Sequence, residues 1–307
     1  MSSNSPSWQQ ALEALPSTPE KIPAFFFAHG SPMLAFPSSE TLGAMAYHGP
    51  NGPLAKFLSE FGPTLLKKYK PKGIVVFSAH WETAGERIVT DYPENPLLMD
   101  YYGFPPELYQ LKFKSKGDSK LAQRIVDLYQ NAGQKAKTTT VKESRGEDGR
   151  GFPGPGLDHG VFVPFQIMFG EEFMDIPIVQ VSIDSSLDPE KNWQVGKAVA
   201  QLREEGILIL SGGLTAHNLR DRASLSAHTA RAVHKEFDEA IHEAMAVEST
   251  EERKQKMIDL TGHAGFRASH PREEHFVPLY VAAGAGEGGR VRTVMDLYGL
   301  GSFVFDV

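Results

Sequence analysis

The sequence predicts an α/β fold, a single-domain, three-layer α/β/α architecture with a mostly parallel central sheet. Short apolar runs typical of buried strands alternate along the chain with longer amphipathic segments typical of helices. Such alternation favours a sheet whose two faces are both covered by helices. No linker, composition break or internal repeat divides the 307 residues. We therefore expect one domain over residues 22–307, preceded by a loosely attached polar extension over residues 1–21 with one short helix near residues 8–15.

Strands are assigned where apolar runs are short, and helices where apolar residues recur over ten or more positions. In chain order the predicted strands are AFFFAHG, GIVVFSAH, RIVTDY, AKTTTV, PIVQVSID, ILILSGG and the final region RVRTVMDLYGLGSFVFDV. The predicted helices are PLAKFLSEFGPTLLKKY, KLAQRIVDLYQNAG, VFVPFQIMFG, EKNWQVGKAVAQLREEG and residues 229–246. The Gly- and Pro-rich segment 142–160 is too long for a simple turn, so we expect a functional loop over a site.

The composition excludes several classes of function. The formal net charge is −7 and no long basic run occurs, so neither nucleic acid nor an anionic membrane is an expected partner. Because the chain has no cysteine, any metal site must use His, Asp or Glu. The G-x-S-x-G, H-E-x-x-H and phosphate-loop motifs are absent. No secretory signal or spanning apolar run is apparent, so we expect a cytoplasmic protein.

Three of the eleven histidines lie at the ends of predicted strands. His29 closes FFFAHGSP, His80 closes VVFSAHWE, and His217 follows ILILSGG by a few residues. In open α/β sheets ligands bind at the carboxyl ends of the strands, so these imidazoles are expected to share one site. A lone strand-end histidine is more often structural than a ligand. Several such positions in a cysteine-free chain, however, favour a metal site.

Two further histidines are candidates for the same site. His275, in SHPREEHFVPLY, is expected on the second turn of a helix capped by Ser269 or His270. His159 ends the Gly- and Pro-rich loop, immediately before the apolar helix VFVPFQIM. Three others lie in a polar helical stretch and are expected at the surface: His228, His234 and His242.

Seven motifs in order resemble the class III extradiol ring-cleavage dioxygenases, specifically the DOPA 4,5-dioxygenase branch. They are FFFAHGSPM, FSAHWE, YYGFPPELY, LDHGVFVPF, VQVSIDSS, SGGLTAHNL and HPREEHFVPLYVAAGA, within residues 22–307. Each motif is weak alone, but their common order is specific. The resemblance implies one α/β catalytic domain with a non-haem metal. It also implies cleavage of a catechol by O2 to a muconate semialdehyde-type product, with Fe(II) required for activity and Zn(II) a further metal that this branch binds.

The resemblance also implies roles for individual histidines. His29, His80 and His275 would bind the metal. His217 would be either the catalytic acid–base or a further metal ligand, and His159 would assist at the bound oxygen or the substrate. Protocatechuate-type enzymes use two histidines and a glutamate. Three imidazoles would leave the site one charge more positive and shift the balance toward Zn(II), although zinc has no redox chemistry for ring cleavage.

Residues near these motifs are candidates for binding a catechol. The candidates for a wall against the planar ring are aromatic: Trp81, Tyr101, Tyr102 and Phe104. Ser31 and Asn218 are neighbours of the histidines and are candidates for contacting the substrate or orienting an imidazole. Arg220 is the candidate for a substrate carboxylate.

Two alternative functions stay open at the level of sequence. A zinc-dependent hydrolase would use the same histidines to activate a bound water. A metal-binding or interaction protein without turnover is also compatible with the fold, because a fold does not fix a function. The expected partners are a small catechol and O2. A homodimer is compatible with the composition, although no exposed apolar helix argues for it.

Overall fold

The computed structural model of the protein describes residues 7–37, 46–145 and 152–307. In chain order the strands are β1 (Ala24–Ala28), β2 (Gly73–Thr83), β3 (Arg87–Thr90), β4 (Lys114–Ser115), β5 (Ala136–Thr139), β6 (Glu172–Phe173), β7 (Ile178–Asp184), β8 (Ile207–Gly213), β9 (Val291–Met295) and β10 (Ser302–Phe305). The helices are α1 (Trp8–Glu13), α2 (Pro53–Tyr69), α3 (Ser119–Asn131), α4 (His159–Phe169), α5 (Pro189–Ala198), α6 (Ala232–Met245), α7 (Thr250–Asp259), α8 (Phe266–Ser269) and α9 (Pro278–Ala285).

Eight strands form the main sheet in the order β5-β3-β7-β2-β8-β1-β10-β9. The four central strands β7, β2, β8 and β1 run parallel, and β3 pairs with β5 in parallel at one edge. The pairs β3/β7, β1/β10 and β10/β9 are antiparallel. Strands β4 and β6 form a separate two-stranded sheet. This arrangement confirms the predicted single α/β domain with a mostly parallel sheet.

Each face of the sheet packs against its own layer of helices. Phe27 of β1 and Val76 of β2 lie in one core with residues of α2 and α4. Their neighbours Phe26 and Phe77 lie in the opposite core with residues of α3, α5 and α9. Successive side chains of a strand point to opposite faces, so a strand buried on both sides needs apolar residues throughout. This requirement explains the nearly continuous apolar runs in the sequence.

The region around residues 266–277 differs from the prediction. Instead of one helix capped at 269–270, α8 ends at Ser269 and α9 begins only at Pro278. The intervening segment is made of tight turns, and the backbone nitrogen of Leu214 donates to the carbonyl oxygen of His275 over 2.8 Å. This tertiary hydrogen bond ties the segment to the end of β8, which a continuous helix would prevent.

Two other expectations are corrected by burial. His234 was expected at the surface, but it is 1% exposed and lies 3.5 Å from a carboxylate oxygen of Asp221. The extension before residue 22 packs against the domain from α1 onward, because Leu12 and Leu15 are buried. Lys68 of α2 also donates to the carbonyl of Leu15 over 2.7 Å.

Among the described residues, no helix combines the length and the apolar character that crossing a membrane requires.

Candidate active site

Three histidines from different parts of the chain converge beyond the ends of the central strands. His29 follows β1, His80 lies in the last part of β2, and His275 lies in the turns before α9. Their ring centroids are 4.9, 5.0 and 5.3 Å apart, and the Nε2 atoms of His80 and His275 are 3.0 Å apart. All three side chains are buried. One nitrogen from each ring lies within 4.8 Å of those of the others.

The sheet explains this convergence. His29 continues the alternating series of Phe27. A Cβ atom at Gly160 of α4 would lie 2.9 Å from Nδ1 of His80, so both imidazoles lie on the face covered by α2 and α4. Strand β8 lies between β1 and β2 and ends at Gly213. A Cβ atom at Gly213 would lie 2.4 Å from the carbonyl oxygen of His275. Glycine therefore permits the close backbone approach that brings His275 to the other two histidines.

Two more imidazoles stack on the outside of this trio. The ring of His159, the first residue of α4, stacks on His80 with centroids 4.0 Å apart. The ring of His217 stacks on His275 with centroids 3.5 Å apart. The backbone nitrogen of His217 donates to the carbonyl of Ser269 over 2.8 Å, which holds the loop after β8 in place. The five histidines singled out from the sequence thus form one cluster.

On one side of the cluster, two buried aspartates contact the imidazoles. His159 donates to Oδ1 of Asp100 from its Nδ1 over 2.7 Å and from its backbone nitrogen over 2.8 Å. Nδ1 of His80 lies 3.5 Å from Oδ1 of Asp158 and 3.7 Å from Oδ2 of Asp100. The two carboxylates therefore fix which nitrogen of His159 faces outward and orient the ring of His80.

Asp158 is itself held by a network that extends beneath the site. The hydroxyl of Ser78 donates to it over 2.6 Å and the guanidinium of Arg145 over 2.9 Å, and Gln180 also donates to it. Burial by itself raises the pKa of the Asp158 carboxyl, but the charge of Arg145 and the hydrogen bonds outweigh burial and lower the pKa below its usual value. Asp158 is therefore a carboxylate at neutral pH.

On the other side of the cluster, a glutamate takes the corresponding position. Oε1 of Glu274 accepts a hydrogen bond from Nδ1 of His275 over 3.0 Å and lies 3.9 Å from Nδ1 of His217. Glu274 directly precedes His275 in the sequence. The structure shows that its carboxylate contacts the outer nitrogen of that ring.

The donor set fits a bound metal. Imidazole nitrogens suit both iron and zinc, and His29, His80 and His275 present one nitrogen each within a shared space. Histidines that bind metals usually donate their other ring N–H to a carboxylate or a carbonyl. Within the described residues, carboxylates lie beside the outer nitrogens of His80 and His275. The cluster can therefore hold a metal ion.

A cavity of about 230 Å³ opens beside the cluster. Four of the five histidines line it: His80, His159, His217 and His275. Ser31, Tyr101 and Phe104 also line it, as expected for residues that contact a planar ligand. His48 is also part of the wall.

Three predicted substrate contacts are corrected by the structure. Trp81 is fully buried and is absent from the described cavity wall. Its indole donates to the carbonyl of Arg145 over 2.9 Å. Tyr102 is 81% exposed and stacks on Phe152 outside the cavity. Arg220 is exposed and is absent from the described cavity wall.

Asn218 does not contact an imidazole through any of its described hydrogen bonds. Its side-chain amide donates to the carbonyl of Ala268 and accepts from the backbone of Arg220 and Asp221. It therefore stabilises the loop that carries His217. The residues that orient the histidines are instead acidic, and Asp100 belongs to none of the sequence motifs that indicated the site. The only sequence signal for Asp100 is its position directly before the motif YYGFPPELY.

Comparisons with known proteins agree with this geometry. Residues 23–303 match the family described as the catalytic LigB subunit of aromatic ring-opening dioxygenase. The chain is 42% identical to a 4,5-DOPA dioxygenase extradiol-like protein of Schizosaccharomyces pombe, over 98% of this chain and 97% of the relative. It is 35% identical to a 4,5-DOPA dioxygenase extradiol of Beta vulgaris, over 88% and 89% of the two chains. A 4,5-DOPA dioxygenase extradiol of Escherichia coli K12 is 30% identical, over 89% of each chain.

A solved structure supports the fold. The crystal structure of an uncharacterized protein from Escherichia coli K12 superposes with a TM-score of 0.64 at 24% identity, covering 93% of this chain and all of the other. The family match and the identities to the relatives confirm the resemblance seen in the seven sequence motifs. The chain belongs to the LigB family of aromatic ring-opening dioxygenases and is an extradiol ring-opening enzyme.

Proposed function

We propose that the protein cleaves the ring of a catechol with O2, using Fe(II), to a muconate semialdehyde-type product. Family membership implies a small-molecule substrate and O2. The observation that carries the proposal is the convergence of His29, His80 and His275 beside a cavity whose wall also holds His159 and His217. A catechol in this cavity would lie next to both the metal ligands and two titratable imidazoles.

The three converging histidines are the proposed metal ligands. Fe(II) bound there would supply the redox chemistry by which a chelated catechol reacts with O2, which Zn(II) cannot do. The carboxylate that other extradiol enzymes place on the metal is not lost from this site. Glu274 lies 3.0 Å from the outer nitrogen of His275, and this negative charge next to a ligand supports iron as the working metal.

His217 is the proposed acid–base. A catechol must lose a proton on binding, and the ring-opened product must gain one, and an imidazole titrates in the range that both transfers need. The side chain of His217 is 23% exposed, so it can exchange a proton with solvent as well as with a ligand in the cavity. Its ring stacks on His275, which places it next to the proposed metal ligands.

His159 is the proposed hydrogen-bond donor to the substrate or to an oxygen-derived group. Its Nδ1 donates to Asp100 over 2.7 Å. That bond leaves Nε2 as the ring nitrogen available to a ligand, and its protonated form would donate from there. His159 lines the cavity, so the geometry supports this role.

Anaerobic reconstitution of the metal-free protein tests the proposal. The protein is loaded with Fe(II) or with Zn(II), and oxygen uptake and absorbance are followed with catechols that include DOPA and protocatechuate. We expect oxygen consumption and a yellow ring-opened product with Fe(II) alone. Stoichiometric Fe(II) without uptake for any catechol would refute the proposal, and activity with Zn(II) in the absence of O2 would favour a hydrolase.

A further inference from the structure

A sixth imidazole lies on the cavity wall, apart from the five clustered histidines. His48 lines the cavity together with four of the clustered histidines. Its ring contacts that of Tyr47, and among the ring contacts of the described residues it touches none of the five clustered rings. His48 therefore faces the cavity from a different part of the wall.

Tight turns before α2 hold His48 in place. The backbone nitrogen of Gly49 donates to the carbonyl of Ala46 over 3.1 Å, and that of Gly52 donates to the carbonyl of Gly49 over 3.0 Å. A Cβ atom at Gly52 would lie 2.0 Å from the carbonyl oxygen of Tyr47, so glycine permits the two turns to approach closely. The segment leads directly into α2, which fixes the backbone of His48 relative to the domain.

The ring of Tyr47 orients this imidazole. The centroids of Tyr47 and His48 lie 5.3 Å apart and their planes differ by 83°, an edge-to-face arrangement that aromatic rings prefer. Tyr47 is 45% exposed, whereas His48 is half-buried and belongs to the cavity wall. The tyrosine ring thus lies on the solvent side of the segment and the imidazole on the cavity side.

Apolar side chains from the neighbouring segments share this wall with His48. Leu34, after β1, and Leu54, in the first turn of α2, both line the cavity. Both pack on the backbone at Gly30, where a Cβ atom would lie 2.3 Å from Leu34 and 3.0 Å from Leu54. A hydrogen bond made in such apolar surroundings is stronger than one made in water.

The imidazole of His48 is uncharged. Burial lowers its pKa below the usual value, so the ring is neutral at neutral pH. A neutral imidazole offers one N–H donor and one nitrogen acceptor. Among the described residues, no hydrogen bond of the protein uses either ring nitrogen of His48. Both nitrogens can therefore serve a ligand in the cavity.

We propose that His48 is a specificity-determining residue that forms a hydrogen bond with a polar substituent of the catechol ring. This inference rests on the proposed function, because the two catechol hydroxyls would be held at the histidine cluster. The ring would then occupy the cavity between the cluster and His48, and its substituent would reach the imidazole. A hydroxyl group is the simplest substituent that can pair with the neutral ring.

A matched pair of compounds tests the inference. 4-(2-Hydroxyethyl)catechol and 4-ethylcatechol differ only by the hydroxyl group at the end of the substituent. The measured quantity is the ratio of their kcat/KM values with the Fe(II) enzyme. We expect His48→Leu to lower this ratio by about fivefold, because a neutral hydrogen bond contributes about 1 kcal/mol. The ratio of the dissociation constants, measured with the Zn(II)-loaded protein, should shift by a similar factor.

Two further variants provide the controls. His48→Gln keeps a side chain that can form hydrogen bonds and should retain most of the preference for the hydroxyl compound. His228→Leu removes an exposed histidine outside the described cavity wall and should leave the ratio unchanged. All three variants should bind as much metal as the wild type, because the substitutions leave the five clustered histidines intact.

The possible outcomes separate the two proposals. Turnover of both compounds with an unchanged ratio in His48→Leu would overturn the role of His48 and leave ring cleavage in place. Loss of metal from His48→Leu would contradict the position of His48 apart from the metal ligands. A fivefold shift in the ratio of dissociation constants without turnover of either compound would support the role of His48 and overturn the proposed function.

Discussion

The two sides of the histidine cluster differ in how deeply their acidic groups are buried. The buried half consists of His80, His159, Asp100 and Asp158. The exposed half consists of His217 and Glu274, which both contact the buried ring of His275. In the buried half both aspartates have side chains that are 0% exposed. In the exposed half the side chains of Glu274 and His217 are 14% and 23% exposed.

This difference indicates that the two halves of the cluster have different functions. A fully buried carboxylate with several donors fixes the orientation of an imidazole, because any movement would break hydrogen bonds that water cannot replace. A partly exposed imidazole can exchange protons with solvent and substrate. We therefore interpret the buried half as the rigid support of the metal ligand and the exposed half as the site of proton transfer.

The largest expected effect is on metal binding and turnover, and it distinguishes the proposed metal ligand His80 from the proposed acid–base His217. His80→Ala should abolish both metal binding and turnover, because it removes one of three converging nitrogens. His217→Ala should retain the metal and lose about 10²- to 10⁴-fold in kcat, the usual contribution of a general acid–base. Metal content by elemental analysis, measured together with kcat, checks both variants. A metal-free His217→Ala protein would instead identify His217 as a fourth ligand.

The second effect is on the free energy of unfolding when the arginine that supports each half is removed. Arg145→Met would leave Asp158 buried without its counter-charge, which typically costs about 3–5 kcal/mol in the free energy of unfolding. Arg272→Met should cost less, about 1–3 kcal/mol, because the guanidinium that is lost is 43% exposed, although the side chain of its partner Glu82 is only 3% exposed. Urea unfolding of the metal-free proteins measures both changes. Equal losses would contradict the distinction between a buried and an exposed half.

The third effect compares the two carboxylates that contact imidazoles directly. Asp100→Asn would weaken the hydrogen bonds that orient His159, and we expect a loss of about 10- to 100-fold in kcat or metal affinity. Glu274→Gln should cost less than about tenfold, because water can replace part of the contact to His275. Steady-state kinetics and metal titration of the two variants test this order. A larger loss in Glu274→Gln would assign the orienting role to the exposed half.

The last effect concerns the pH dependence of folding stability and a histidine next to the exposed half. His270 is buried next to the loop of His217 and donates to the carbonyl of Thr215 over 2.9 Å. Burial lowers its pKa to about 4, so it stays neutral in the folded protein while the unfolded chain binds a proton near pH 6.5. The contribution of His270 to the free energy of unfolding should therefore be fully present above about pH 7 and should decrease as the pH falls toward 4. The expected loss at pH 5 is about 2 kcal/mol.

His270→Gln keeps a hydrogen-bond donor but removes the titrating group. Its free energy of unfolding, measured by urea at pH 7 and pH 5 on the metal-free protein, should change less between the two pH values than that of the wild type. The absolute stability of the variant is not decisive, because the comparison uses only the difference between the two pH values. An unchanged pH dependence would show that His270 does not titrate on unfolding.

The sequence by itself determined the α/β class and the choice of histidines. Apolar runs and helical periodicity were sufficient for this, because burial on both faces of a parallel sheet requires continuous apolar strands. The predicted helix PLAKFLSEFGPTLLKKY coincides with α2 (Pro53–Tyr69). His29, His80 and His217 could be grouped because strand-end residues of a parallel sheet meet at one edge.

Only the tertiary structure decided the environment of these histidines. Asp100 reaches His159 because its segment pairs with the backbone near Leu157, a contact between residues far apart in the chain. The turns that hold His275 depend on a hydrogen bond to Leu214, so helical propensity alone gave a wrong prediction there. The pairing of β2 with β7 shifts register between Phe77 and Glu82, so simple alternation did not show whether Trp81 would line the cavity or be buried. Local sequence determines periodicity, whereas burial, partners and charge pairing arise only when distant segments pack together.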